Sequence, residues 1–172
     1  AHTGGHTHDP LAPPVTQIWS VDLGGAVSYP LIANGVTYVT VADAGYGTRL
    51  YALNLSTGAA IWGPIELGGP YNFSAAAYDA GRVYAINFSG TLQAFDASTG
   101  VALWSTQLPG QYAFTSPPTA VNGLVYGGGA GSGGTVYGVG VAYGKVKWTA
   151  SVANGDLSSP PVPGRGRSVP SP

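Results

Sequence analysis

The sequence is poor in the residue types that most often carry chemistry. Its 172 residues include no cysteine, no methionine and a single glutamate, Glu66. The missing cysteines exclude a disulfide framework and a thiolate metal site. Charged residues make up only 8% of the chain, with a formal net charge of −1. Six Lys+Arg cannot build the basic face that phosphate recognition needs, so nucleic acid is excluded as a partner. No apolar run approaches the ~20 residues of a spanning helix, so no membrane span is expected. Glycine (28) and proline (14) interrupt the chain every few residues, which excludes long helices. No charged and apolar leader of the signal-peptide kind opens the sequence at Ala1, as expected if one was removed or never existed. Few charges, no thiols and abundant Ser, Thr, Gly and Tyr fit a mature secreted, periplasmic or cell-surface protein.

What is present is Val, Ala, Tyr and Leu in short alternating runs, the pattern of strands. The expected class is all-β. Residues 1–14 lack this pattern and hold all three histidines, His2, His6 and His8, beside Asp9. Imidazoles at short spacing can converge on copper, nickel or zinc. A segment without apolar anchors loses ordering entropy on binding, so a flexible His/Pro leader is the preferred reading and no metal site is expected.

Val15–Leu23 reads as one strand carrying Trp19, and Gly24-Gly25 turns the chain. Three units of four strand signals follow. The first has Val27–Ala33, Val36–Ala42, Arg49–Leu55 and Ala59–Leu67. The second has Ser74–Tyr78, Arg82–Asn87, Thr91–Ala97 and Val101–Leu108. The third has Ser116–Val121, Leu124–Gly128, Thr135–Val141 and Lys145–Val152. Asn34-Gly35, Ala80-Gly81 and Asn122-Gly123 suit tight hairpins between the first two strands of each unit. Another first-strand signal begins near Ser158 and dissolves into the Pro/Gly-rich tail 161–172.

The tryptophans set the period. Trp19, Trp62, Trp104 and Trp148 are 43, 42 and 44 residues apart, and Gly58, Gly100 and Gly144 each stand four residues before the tryptophan that follows. A repeat of ~40–45 residues with four strands is a β-propeller blade. The chain is therefore expected to form about three complete blades, near 27–67, 74–108 and 116–152, with partial strands at both ends. Residues 15–160 make one propeller unit between the leader and the tail.

The copies Asn54-Leu-Ser-Thr57-Gly58…Trp62 and Asp96-Ala-Ser-Thr99-Gly100…Trp104 resemble the tryptophan-docking repeat of the PQQ-like, quinoprotein-type β-propellers. Val136–Trp148 departs from it, with Gly140 at the Asp/Asn position and Tyr143 for Thr. In this repeat Asn54 and Asp96 are expected to bond turn amides, the glycines to accept positive φ, and each Trp to lie flat between neighbouring blades. The resemblance implies eight-bladed enzymes that hold PQQ and calcium through Glu, Asn and Asp, use a catalytic Asp and often carry a vicinal Cys pair. Here cysteine is missing, Glu66 stands alone, and none of Asp22, Asp43, Asp79 or Asp156 sits in a recognisable calcium loop. The expectation is no catalytic residue and no cofactor.

The loops between blades hold the ligand or partner candidates: Tyr71 and Asn72, Tyr112 beside Gln111, and Asn154 with Asp156. Tyrosines there can stack on carbohydrate or dock a protein, whereas Phe73 and Phe114 are read as core. Asn54, Asn72 and Asn87 each fit the N-glycosylation pattern, Asn72 being the preferred acceptor. Three blades with open edges invite a protein partner or self-association. The leading expectation is a non-catalytic, exported scaffold for binding or assembly. The alternatives are a fragment of a PQQ-dependent dehydrogenase and a fibre subunit that completes its blades head to tail.

Overall fold

A computed structural model describes residues 14–42, 47–70, 75–130 and 133–152. The described residues form strands and turns only, in three consecutive antiparallel sheets. The first blade contains β1 (Ala26–Val27), β2 (Leu31–Ala33), β3 (Val36–Ala42), β4 (Thr48–Asn54) and β5 (Ala60–Glu66). The second contains β6 (Ala77–Asp79), β7 (Arg82–Ile86), β8 (Thr91–Asp96) and β9 (Ala102–Gln107). The third contains β10 (Thr119–Val121), β11 (Leu124–Gly129), β12 (Gly134–Gly140) and β13 (Val146–Val152). Each sheet runs in chain order, as β-propeller blades do. No described helix is long and apolar enough to cross a membrane.

The hairpin signals work as turn chemistry predicts: Asn34, Ala80 and Asn122 all adopt positive φ before a positive-φ glycine. Four strand signals differ from the sequence reading by more than a residue at an end. The inner strand expected over Val27–Ala33 is broken into β1 and β2, both paired to β3. Pro30 has no N–H to give to a ladder, and beside it Ser28 binds Thr40 through its own N–H (2.9 Å) and its hydroxyl (3.0 Å). The inner strands of the other blades shorten to β6 and β10; at β10, Pro117 and Pro118 remove two donors. Finally, Val15–Leu23 forms no strand and makes no ladder with the other described residues.

The core lies between the sheets. Tyr38, Leu50, Ala52 and Leu67 of blade 1 pack on Ala76, Val83, Ala85, Phe95 and Ala97 of blade 2. Tyr84, Ile86, Leu92, Ala94 and Leu108 of blade 2 pack on Phe114, Ala120, Val125, Tyr137 and Val139 of blade 3. On the other face of blade 1, Val39, Val41, Tyr51 and Leu53 form a buried cluster, and Leu23 from the segment before the blade packs against it. Each sheet thus buries both faces when a blade stands on either side, and β-branched and aromatic residues fill those faces.

Candidate interblade docking site

Three tryptophans reach across a seam in the same way. Trp62 Nε1 donates to Ala97 O (2.9 Å), Trp104 Nε1 to Val141 O (2.8 Å) and Trp19 Nε1 to Leu55 O (2.8 Å). Each acceptor stands three residues before the turn glycine, and each ring lies against that glycine. A methyl group built on Gly58 would sit 2.6 Å from Trp19 Cε3, on Gly100 2.9 Å from Trp62 Cδ2, and on Gly144 2.5 Å from Trp104 Cε3. The glycine therefore does two things: it takes positive φ (72°, 74° and 67°) and it leaves the space a ring needs.

The turn beneath is fixed by its own side chain. Asp96 Oδ1 accepts from Ser98 N (3.0 Å), Ser98 Oγ (2.6 Å), Thr99 N (2.9 Å) and Thr99 Oγ1 (2.9 Å). The Ser98 and Thr99 hydroxyls, with their amides, hold the Asp96 carboxyl below its ordinary range. Asn54 Oδ1 accepts from Ser56 N (2.9 Å) and Thr57 N (3.0 Å). Gly140 has no side chain to do this, and the third turn is held partly from outside. It closes through Gly140 N to Lys145 O (2.9 Å) and Gly144 N to Gly140 O (3.0 Å). Blade 2 adds Thr106 Oγ1 to Gly144 O (2.6 Å) and Arg82 Nη1 to Val141 O.

A second aromatic belongs to the joint and was missed in the sequence. Tyr38, Tyr84 and Tyr126 sit 5.8, 5.9 and 5.9 Å (ring centroids) from Trp62, Trp104 and Trp148. Each follows its hairpin glycine (Gly35, Gly81, Gly123) by three residues, and that spacing was a legible signal. Burial pushes the Tyr38 phenol above its usual value, so it stays protonated and donates to Ala97 O (3.1 Å).

Trp148 stands apart. It is 40% exposed, and its Nε1 has no acceptor among the described residues. Tyr126 beside it is only half-buried. Blade 3 therefore presents the donor half of the joint with nothing described across from it.

The other candidates separate in space. Tyr112 is 85% exposed on the β9–β10 loop, where its amide is tied to Ala130 O (2.9 Å), and Phe114 is core. Tyr71, Asn72, Phe73, Asn154, Asp156, Asp43 and the three histidines lie outside the described residues, as do the leader to residue 13 and the tail. Asn87 corrects the glycosylation reading. It is 4% exposed, its Nδ2 donates to Leu67 O (3.0 Å) and its Oδ1 accepts from Thr91 N (2.9 Å). That amide is buried and bonded across the seam, so it is closed to a glycosylating enzyme. Its neighbours gave no signal of this in the sequence.

A quinone with calcium needs several oxygen donors converging on one ion. Among the described residues no three His, Cys, Asp or Glu come together. Asp96 is committed to its turn, Asp22 accepts from Gly24 N (2.8 Å), and Glu66 lies 3.9 Å from Arg49. The described residues do not make a site for the group.

The geometry defines a class: β-propeller blades joined by tryptophan docking. No family model matches the chain. The quinohemoprotein alcohol dehydrogenase ADH-IIG of Pseudomonas putida is 30% identical over 171 residues, covering 88% of this chain and 23% of the relative. The dehydrogenase subunit of the quinone alcohol dehydrogenase of Gluconobacter oxydans is 33% identical over 156 residues, covering 76% and 20%. The solved quinohemoprotein alcohol dehydrogenase ADHIIG of P. putida HK5 superposes with a TM-score of 0.63 at 28% identity, covering 76% of this chain and 21% of that one. The repeats and fold of this chain are those of the PQQ-like, quinoprotein-type β-propellers to which these dehydrogenases are similar. It spans about a fifth to a quarter of the length of the curated relatives it matches.

Proposed function

We propose that this chain is a three-blade arc of a quinoprotein-type propeller that acts as a non-catalytic scaffold. The observation that carries the reading is the repeated clasp: a tryptophan N–H bonded to the turn carbonyl of the blade that follows it, at 2.8–2.9 Å for Trp19, Trp62 and Trp104. Among the described residues Asp96, Asn54, Asn87 and Arg82 are spent on turns and seams, so this part of the arc supplies rigid wall. Residues 15–160 are the propeller unit, with 1–14 as leader and 161–172 as tail. Low charge and the lack of thiols favour an exported setting. Exposed loop tyrosines such as Tyr112 would meet a protein or carbohydrate partner.

A second reading is favoured by the relatives: the arc is part of a PQQ-dependent alcohol dehydrogenase whose cofactor donors stand on other blades. The assay is dye-linked alcohol oxidation by the purified chain with PQQ and Ca²⁺. No dye reduction above the blank is expected of the arc alone. Turnover would overturn the scaffold reading for these blades.

A further inference from the structure

We infer that Trp62, Tyr38 and Tyr78 form a row of rings that carries a one-electron oxidising equivalent across the first seam, with Tyr78 as its terminus. The row runs from β5 at the rim of blade 1, through β3, to the inner strand β6 of blade 2. Ring centroids lie 5.8 Å apart for Trp62 and Tyr38 and 6.2 Å apart for Tyr38 and Tyr78, the second pair being stacked at 21°. Electrons tunnel readily between aromatic rings at such spacing. Cysteine and methionine, the side chains that oxidants usually reach first, are absent from the chain, which leaves Trp and Tyr as the readiest electron donors.

Proton placement sets the direction. An indole or phenol that loses an electron becomes a far stronger acid, so a lasting radical needs a place for its proton. Trp62 Nε1 and the Tyr38 hydroxyl both donate to Ala97 O (2.9 and 3.1 Å), an amide carbonyl too weakly basic to take a proton. Tyr38 is 2% exposed, so water does not replace that carbonyl. Oxidised Trp62 is therefore held as a radical cation, a strong oxidant, and Tyr38 bridges without trapping the charge. Tyr78 differs. It is half-buried beside an open cavity bounded by Leu31, Ala77 and Pro118, and its oxygen accepts from Asn34 Nδ2 (2.7 Å) at the surface. Among the described residues nothing accepts from its own O–H, which gives its proton to water. One electron leaves Tyr78 through Tyr38 and Trp62 to an outer-sphere one-electron oxidant at the rim. One proton passes from the Tyr78 hydroxyl to water, and a neutral phenoxyl radical stays on Tyr78.

The second seam is a natural control. Tyr84 lies 5.9 Å from Trp104, but Ala120 takes the register position that Tyr78 holds on the inner strand. Tyr84 is 1% exposed and bonded to Arg82, a side chain that accepts no proton.

With no native cysteine, a single introduced thiol takes a label uniquely. Ile61→Cys, at the exposed residue before Trp62, and Leu103→Cys, its counterpart before Trp104, each carry a ruthenium polypyridyl photo-oxidant on the full chain. Flash-quench oxidation, with hexaammineruthenium(III) as electron acceptor, is followed by transient absorption and by electron paramagnetic resonance of frozen samples. The Ile61 label gives a tyrosyl radical that grows in as the tryptophan radical cation decays. Tyr78→Phe abolishes the tyrosyl signal and leaves a longer-lived tryptophan radical, and the Leu103 label gives the tryptophan radical alone. Tyr38→Leu, which removes the bridging ring, slows the tyrosyl rise; circular dichroism reports whether that variant folds, and the Tyr78→Phe result stands without it. A tyrosyl signal that survives Tyr78→Phe overturns the inference, as does an Ile61 label that yields only tryptophan radical. Equal tyrosyl yields from the two labels, or an unchanged rise in folded Tyr38→Leu, overturn it too. Each of these results leaves the scaffold reading standing, whereas dye reduction in the alcohol assay would sink that reading without altering the radical signals.

Discussion

Replacing Gly100 by alanine separates the two demands placed on the turn glycine. Its φ of 74° is unfavourable for any residue with a Cβ, by roughly 1–2 kcal/mol. The new methyl would also lie 2.9 Å from Trp62 Cδ2 and 3.0 Å from Ile65 Cδ1, closer than carbon atoms approach. Forcing that ring aside adds roughly 1–3 kcal/mol. Gly81, in the same blade, is the control: its φ is 78°, and nothing lies within 4 Å of its Cβ position. Gly81→Ala therefore carries the backbone term alone. Urea unfolding followed by tryptophan fluorescence should place Gly100→Ala below Gly81→Ala by about 1–3 kcal/mol, and each kcal/mol lowers Tm by about 2–4 °C in a domain of this size. In a Trp62→Ala background the gap should narrow, because the ring is gone and only the flexible end of Ile65 still meets the methyl. Equal losses for the two variants in the wild-type background would refute the claim that Trp62 docks on Gly100.

Three further outcomes follow from the same contacts. Thr37 Oγ1 is buried without a hydrogen-bond partner at the position held by Val83 and Val125 in the other blades, so Thr37→Val should stabilise by about 1 kcal/mol in thermal melts; a lower Tm would count against it. The Asp96 carboxyl is held below its ordinary value, so its contribution is fully present above the unfolded pKa near 3.8 and is lost as pH falls through the lower folded value. Asp96→Asn keeps the turn acceptor, as Asn54 does in blade 1, and should flatten the acid limb of a stability–pH curve; an unchanged slope would refute the assignment. Asn87→Leu leaves Leu67 O without this donor and Thr91 N without its acceptor, for a loss of about 2–4 kcal/mol. A loss below 0.5 kcal/mol would speak against its seam role, the range of a neutral surface change being about that size.

The repeat was legible because its signals are local or periodic. A tryptophan every 42–44 residues, a glycine four before it and Asn-Gly hairpins needed no tertiary knowledge. The Asx-capped turns were legible for the same reason, since Asp96 bonds residues two and three positions on. Asn87 was misread because an acceptor pattern says nothing about burial, and its decisive partner, Leu67 O, comes from the preceding blade. Tyr38, Tyr84 and Tyr126 were overlooked because their partner tryptophans lie on the far strand of the blade, 20 to 24 residues on.

By itself the sequence determined the class, the blade count and the turn chemistry, all set by alternation, spacing and conformational limits of single residues. Only the tertiary structure decided what each tryptophan docks on. It put each ring on the glycine of the following blade, gave its N–H to a carbonyl 35–37 residues away, and left Trp148 without an acceptor among the described residues. Those facts depend on how one sheet packs against the next. Sheet packing is a property of two whole faces and not of any short stretch of chain.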